Sequence, residues 1–142
     1  MECLDRVGLS HLAKRRADQL SGGQKQRVAI DRMLIQKAEL VLADEPIASL
    51  DPKAGREVMD LLCEVVRERD LTVICVLHQM DVAMDYGERI IGLKNGELVL
   101  DNDVKNISTE RLQSLYEDGS QKDTENNNTT YNFVERPVVS HV

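Results

Sequence analysis

Two short apolar segments joined by an amphipathic helix constrain this chain more than any other feature of its sequence. Residues 40–43 (LVLA) and 72–77 (TVICVL) are consistent with buried strands, the second apolar on both faces like a central parallel strand. Between them, Asp51 and Pro52 form a helix start, and 53–69 has apolar residues at helical spacing. Strand, helix and strand in this order predict an α/β fold with a layered sheet and flanking helices.

Further elements are predicted on both sides of this unit. The periodicity of 22–36 indicates a helix, with Ser21 as its cap. The remaining predictions are a short helix over 80–85, strands over 89–93 and 97–100 around the turn Asn95-Gly96, and a last helix over 109–117.

Composition excludes several classes of protein. No apolar run approaches the roughly 20 residues of a membrane span, and the first 16 residues have no continuous apolar stretch, so we expect no signal peptide. The net charge of -7 argues against a protein that coats nucleic acid. Cys3, Cys63 and Cys75 form no CxxC pair, which favours reduced thiols in the cytosol over a disulfide framework or a zinc site.

The composition of the chain changes near Asp118. Residues 120–130 contain no apolar side chain, and such a segment cannot bury enough surface to offset its ordering entropy. We therefore divide the chain into a folded part, 1–117, and a disordered polar tail, 118–142. The stretch TYNFVERPVVSHV within the tail is mildly apolar, and either docks on the protein or forms a loose end.

The segment LSGGQ opens the first long helix and has the composition of an anion site. Gly22 and Gly23 let a ligand approach the backbone, the helix N-terminus offers free N–H groups, and Ser21 adds a hydroxyl donor. The alternative is a plain glycine turn with a serine cap.

Polar groups follow both apolar strands, at the end where ligands bind in α/β sheets. Asp44 can hold Mg2+, and Glu45 can accept a proton from a water or polarise it. His78 can hydrogen-bond a phosphoryl oxygen or orient a water. The alternatives are a solvated acidic turn for the carboxylates, a capping role for the histidine, and for Asp51 the helix cap alone.

Taken together in this order and spacing, LSGGQ, LVLADEP, SLDP and a strand that ends in histidine resemble the C-terminal half of an ATP-binding cassette (ABC) ATPase, a partial P-loop NTPase fold. The resemblance covers about residues 1–115. It assigns the signature to Leu20, Ser21, Gly22, Gly23 and Gln24, the Walker B strand to Leu40–Asp44, the catalytic glutamate to Glu45, the D-loop to Ser49, Leu50 and Asp51, and the switch histidine to His78.

The resemblance implies a mechanism and partners. Two such domains sandwich ATP head to tail, and each signature faces the nucleotide held by the other subunit. Glu45 polarises water, Mg2+ lies near Asp44 and His78 lies at the γ-phosphate. The domain drives a membrane permease from the inner face of the cell membrane, with no nucleic-acid partner. Within the family, ADEPIASLDP and the segment 77–98 most resemble the ATPase subunit of phosphonate importers.

The chain departs from the family in two respects. It contains no G-x-x-x-x-G-K-[ST], so the Walker A half, with its phosphate cradle and lysine, is absent. The resemblance implies that the P-loop strand would lie between the strand that ends at His78 and the strand near Ile90, which leaves unpaired edges there. The second departure is Asp31, where the family usually has alanine; Asp31 could pair with Arg27 one turn earlier.

Three hypotheses follow. The first is the signature and Walker B half of an ABC importer ATPase of the phosphonate type, which we expect not to hydrolyse ATP alone. The second is a non-catalytic module that complements or regulates a separate P-loop chain. The third, a DNA-repair or chromosome ABC ATPase, is disfavoured because nothing here sustains heptads.

Overall fold

The computed structural model describes residues 2–110, 112 and 130–135. Its α-helices are α1 (Glu2–Arg6), α2 (Gly22–Gln36), α3 (Pro52–Arg69) and α4 (Met80–Tyr86). Its strands are β1 (Leu40–Asp44), β2 (Thr72–Leu77), β3 (Arg89–Lys94), β4 (Glu97–Asp103) and β5 (Thr130–Glu135). Apart from α1 and β5, for which the sequence predicted no element, these helices and strands agree with the sequence prediction to within a few residues at each end.

Local capping chemistry fixes where the two long helices begin. Ser21 and Gln24 form a reciprocal capping box at the start of α2. Asp51 caps α3 because its Oδ1 accepts a hydrogen bond from the Ala54 N–H at 3.0 Å, and Pro52 occupies the first helical position. Both helix starts therefore confirm the sequence prediction.

The chain divides into two compact units, of which the first contains residues 2–41 and 46–72. Its helix α3 buries an aliphatic face, with Met59, Val65 and Val66 at 0% exposure. On the surface of this unit, Arg6 pairs with Glu68 at 2.7 Å. The helix α3 thus supplies much of the aliphatic core of this unit.

The second unit contains residues 42–45 and 73–136 and holds most of a five-stranded sheet in the order β1-β2-β5-β3-β4. The strands β3 and β4 form the predicted hairpin around the turn Asn95-Gly96. Alternate side chains of β2 are buried, including Cys75 at 0%, and Ile90 of β3 is also fully buried. The strand β2 is an interior strand, as predicted for the TVICVL segment, but it pairs antiparallel with β5 and only its alternate side chains are buried.

The strand β1 corrects one expectation. The apolar run at 40–43 predicted a buried strand, but Leu40 is 52% exposed and Leu42 is 73% exposed. The physical reason is position: β1 stands at one end of the strand order, with β2 as its only neighbour among the strands described. An apolar edge strand of this kind invites pairing with another chain.

The strand β5 is the larger departure from expectation. The sequence predicted a disordered tail over 118–142, whereas Thr130–Glu135 form a strand between β2 and β3, antiparallel to both. The place left for a strand between the one that ends at His78 and the one near Ile90 is thus filled from the C-terminal segment. The tail residues 118–129 and 136–142 lie outside the described part of the chain.

Two smaller predictions remain. Residues 109, 110 and 112 are helical, and the rest of the helix predicted over 109–117 lies outside the described residues. Asp31 is 6% exposed, and its Oδ1 has no hydrogen-bond partner among the residues that the structure describes. Arg27 pairs with Glu57 at 2.9 Å. Within the described residues, no helix is both long and apolar enough to span a membrane.

Candidate functional site

The signature segment forms the first turn of α2 and lies within the first unit. The Ser21 Oγ accepts a hydrogen bond from the Gln24 N–H at 3.3 Å, and the Ser21 N–H donates to Gln24 Oε1 at 3.0 Å. The N–H groups of the first turn have no partner inside the helix, so those of Gly22 and Gly23 face the end where an anion binds. The Ser21 O–H can still donate, because its oxygen only accepts within the capping box.

The D-loop packs directly against the signature. A Cβ placed on Gly22 would lie 2.9 Å from Leu50 Cδ2, closer than real side-chain contacts allow. On Gly23 the corresponding Cβ would lie at an ordinary 3.9 Å from Ala54 Cβ. The absence of a side chain at Gly22 therefore lets Leu50 approach the start of α2. No sequence pattern indicates this contact, since it depends on the tertiary packing of two segments about 30 residues apart.

An open cleft of about 420 Å3 lies beside this contact, within the first unit. Signature and D-loop residues line it together, and the ion pair between Arg27 and Glu57 lies on its wall. The lining from the two motifs comprises Ser21, Gly22, Gly23, Gln24, Ser49, Leu50 and Asp51. The structure thus brings together the signature and D-loop residues that the sequence singled out, with the exception of Leu20.

The second group of candidate residues lies in the sheet unit, at the carboxyl end of β1. Asp44 is the last residue of the strand and is exposed. Glu45 follows with φ of 45°, in the left-handed region that non-glycine residues rarely adopt, and its N–H donates to the Val76 carbonyl at 3.1 Å. Such backbone strain costs on the order of 1–3 kcal/mol and tends to occur at functional sites.

Glu45 and His78 meet at the ends of adjacent strands. Glu45 Oε1 lies 2.6 Å from His78 Nε2, and both side chains are 42% exposed. A carboxylate can only accept, so His78 donates from Nε2, which leaves Nδ1 of a neutral ring as an acceptor. The sequence prediction placed each residue after an apolar strand, at the end where ligands bind, and the structure shows that the two side chains are in direct contact.

The charge of Asp44 affects the pKa of a buried thiol in the sheet. Burial raises the pKa of the Cys75 thiol to about 12, and the negative charge of Asp44 adds to that increase. The thiol therefore stays protonated at neutral pH. Among the residues described, no group of three His, Cys, Asp or Glu side chains is placed to hold a metal ion.

Comparison with known proteins agrees with these motifs. A family model described as "ABC transporter" matches residues 1–48. The chain is 53% identical over 114 residues to a Nocardia farcinica protein named "Phosphonates import ATP-binding protein PhnC", covering 80% of this chain and 42% of that protein. It is also 53% identical over 114 residues to the Mycolicibacterium smegmatis "Phosphate-import ATP-binding protein PhnC", covering 80% of this chain and 43% of that protein.

A solved structure supports the same relationship. The ATP-binding cassette MJ0796, in a dimeric post-hydrolysis state bound to ADP and Pi, superposes with a TM-score of 0.62 at 42% identity, covering 75% of this chain and 46% of that one. The chain thus spans less than half the length of each of these three relatives. Its fold is a partial ABC ATPase fold, and the chain belongs to the family of ABC transporter ATPases.

Proposed function

We propose that this chain is the signature and Walker B part of an ABC importer ATPase, which hydrolyses ATP when a P-loop-bearing part completes the site. The contact between Glu45 and His78 carries this proposal. It supports the proposal because a carboxylate that could act as a general base and a polar ring lie together after β1 and β2, at the strand ends where ligands bind in α/β folds.

Glu45 and His78 would have different roles at this site. The Glu45 carboxylate would accept a proton from the attacking water, or polarise that water. His78 donates its Nε2–H to Glu45, and its Nδ1 is left as an acceptor that would orient the attacking water. The strained backbone of Glu45 fixes the position from which its carboxylate acts, since its N–H is bonded to the Val76 carbonyl.

The residues present fit part of an ATP and Mg2+ site. Mg2+ keeps several waters and binds one or two carboxylates together with substrate phosphates, so a single exposed carboxylate such as Asp44 suits it. When bound, Mg2+ would neutralise charge on the phosphates. The signature Leu20, Ser21, Gly22, Gly23 and Gln24, together with Asp51, would bind the nucleotide held by a second domain, through first-turn N–H groups and the Ser21 hydroxyl.

The proposed partners follow from the named relatives. A dimeric cassette bound to ADP and Pi is among the solved structures similar to this chain, which supports a head-to-tail pairing with a second ATP-binding subunit. The names of the two relatives indicate an importer, and hence a permease partner at the inner face of the membrane. They differ between phosphonate and phosphate, and we propose phosphonate uptake on the motifs that follow Glu45 and His78.

A second candidate is a non-catalytic half-domain that complements or regulates a separate P-loop chain. The exposed cleft favours it, because signature and D-loop together present a ready surface to another subunit. The two candidates differ in one observable: both predict binding to a P-loop chain, whereas only the first predicts turnover.

The test is phosphate release from MgATP by the chain alone and in a mixture with a separate chain that carries a G-x-x-x-x-G-K-[ST] loop. We expect no turnover by the chain alone and measurable turnover in the mixture. Glu45→Gln should remove the turnover, because general-base catalysis contributes roughly 10²–10⁴-fold. The matched control is Glu97→Gln, an exposed carboxylate on β4.

Three outcomes separate the candidates. Turnover in the mixture that needs Glu45 supports the importer ATPase. Binding of the P-loop chain without turnover supports the non-catalytic module. Robust hydrolysis by this chain alone, abolished by Glu45→Gln, contradicts the proposal that the site needs a second part.

A further inference from the structure

The strand β5 pairs with neighbours on both of its edges. Against β2 its register runs from Val73↔Glu135 to Leu77↔Tyr131, and against β3 it runs from Arg89↔Val134 to Leu93↔Thr130. Five residue pairs therefore form on each side. A six-residue segment near the end of the chain thus holds a central position in the sheet.

The edges of β2 and β3 that face each other are both paired with β5. Because β5 is antiparallel to both, β2 and β3 run in the same direction. Adjacent strands lie about 4.8 Å apart, so β2 and β3 are about 10 Å apart and cannot bond to each other. Without β5, the two strands that carry the fully buried Cys75 and Ile90 would expose two rows of backbone N–H and C=O groups.

The register places one residue at the centre of this arrangement. Phe133 is the partner of Cys75 on one side and of Ile90 on the other, and both partners are 0% exposed. The segment TYNFVE is rich in Thr, Tyr, Phe and Val, the residue types that favour strands. It also contains two of the four aromatic residues of the chain. Both the composition of this segment and its register are therefore typical of an interior strand.

We propose that Thr130–Glu135 is a built-in closing strand, and that the slot between β2 and β3 is an exchangeable binding site for one extended apolar strand. In the intact chain the occupant is β5, which belongs to the same chain, so its binding is intramolecular and does not depend on protein concentration. A strand offered by another molecule must displace β5 first, so the C-terminal segment controls access to the sheet. This inference does not rest on the proposed function, because it concerns strand pairing without nucleotide.

The register is tested by cross-linking in the full chain. Register partners in antiparallel strands have Cα atoms about 4.5–5.5 Å apart, within the range of a disulfide. In the Phe133→Cys variant, oxidised glutathione should join residue 133 to Cys75: the two thiols lose two electrons and two protons, and glutathione disulfide is reduced to two thiols. Mass spectrometry of a digest identifies which cysteine is bonded to residue 133, and it distinguishes Cys75 from Cys3 and Cys63.

The matched control is Asn132→Cys, one residue along the same segment. Its partners are Val76 and Ile91, so no cysteine stands opposite it. The raised pKa of Cys75 slows oxidation equally in both variants. We expect at least tenfold more of the bond to Cys75 in Phe133→Cys. Equal bonding in the two variants would indicate a loosely collapsed segment and overturn the proposal.

Exchange is tested with a fluorescent peptide of residues 128–137 and three full-length chains. Proline in a central strand removes a ladder hydrogen bond, so Phe133→Pro should release β5 and let the peptide bind. The unaltered chain and a Ser120→Pro control, outside β5, should bind it at least tenfold more weakly. Equal binding of the peptide by all three chains would overturn the proposed exchange. The proposal would also be overturned if the peptide neither binds the Phe133→Pro chain nor keeps that chain soluble.

Discussion

Glu45 Oε1 and His78 Nε2 lie 2.6 Å apart, at the ends of two neighbouring strands of one sheet. Residues 33 positions apart in the chain meet here because the carboxyl ends of adjacent parallel strands share one edge. The contact constrains the histidine, since the carboxylate accepts only from Nε2 and thereby selects one tautomer.

We expect Glu45→Ala to remove the preference of His78 for the Nε2–H tautomer. Loss of the acceptor removes the preference for Nε2–H, so the two neutral forms of His78 should become mixed. Long-range nitrogen–proton NMR of the imidazoles at alkaline pH measures this directly, with His11 as the internal reference. Glu97→Ala is the matched control, and an unchanged His78 spectrum in Glu45→Ala would contradict the contact.

The two signature glycines should respond differently to alanine. In Gly22→Ala the new Cβ would meet Leu50 Cδ2 at 2.9 Å, and overpacking costs about 1–3 kcal/mol, at the low end here because the end of a side chain can move. In Gly23→Ala the contact is an ordinary 3.9 Å, and higher helix propensity should stabilise the chain by up to about 1 kcal/mol. Urea denaturation measures both values.

A rescue variant identifies the cause of the Gly22 effect. Adding Leu50→Ala to Gly22→Ala removes the clash, so the double variant should lose less stability than the sum of the two single losses. Additive losses would show that Gly22 and Leu50 do not meet.

The elements predicted well are those with local signals. Ser21 and the pair Asp51-Pro52 satisfy helix N-termini through groups within three residues, so sequence alone locates them. The strand β5 has no such signal, because its partners lie more than 30 residues away and the polar run before it predicts disorder. The edge position of β1 likewise depends on the strand order, so the exposure of Leu42 could not be predicted from its apolar run.

The hairpin of β3 and β4 should lose stability in acid through one side-chain pair. Arg89 bonds Asp101 at 2.6 and 2.7 Å, and this hydrogen bonding lowers the pKa of Asp101 below its ordinary 3.8. The folded chain therefore binds this proton less readily than the unfolded chain. The stabilisation is fully present above pH 3.8 and is lost as the pH falls through the lower, folded-state pKa.

The Asp101→Asn variant should remove this dependence. Its free energy of unfolding should be slightly lower than that of the unaltered chain at neutral pH and converge with it at acid pH. Urea midpoints measured from pH 7 to 2 check this, with Glu97→Gln on the same strand as control. Parallel pH profiles for the unaltered chain and Asp101→Asn would contradict the assignment.

Asp31 is the residue whose replacement should stabilise the chain most. Its side chain is 6% exposed within α2, and Oδ1 has no hydrogen-bond partner. Burial of an unsatisfied polar group costs about 1–3 kcal/mol in proteins, and aspartate is a weaker helix former than alanine. Asp31→Ala should therefore raise the free energy of unfolding by about 1–3 kcal/mol, as measured by urea denaturation.

Two further variants separate the burial cost from helix propensity. Asp31→Asn keeps the shape and still buries a polar group, so it should gain less than Asp31→Ala, because only the negative charge is removed. Arg32→Ala, at the exposed neighbouring position, exchanges two good helix formers and should change stability by less than about 0.5 kcal/mol. A loss of stability in Asp31→Ala would mean that the carboxylate contributes a favourable interaction, and the unsatisfied Oδ1 would then not be a source of instability.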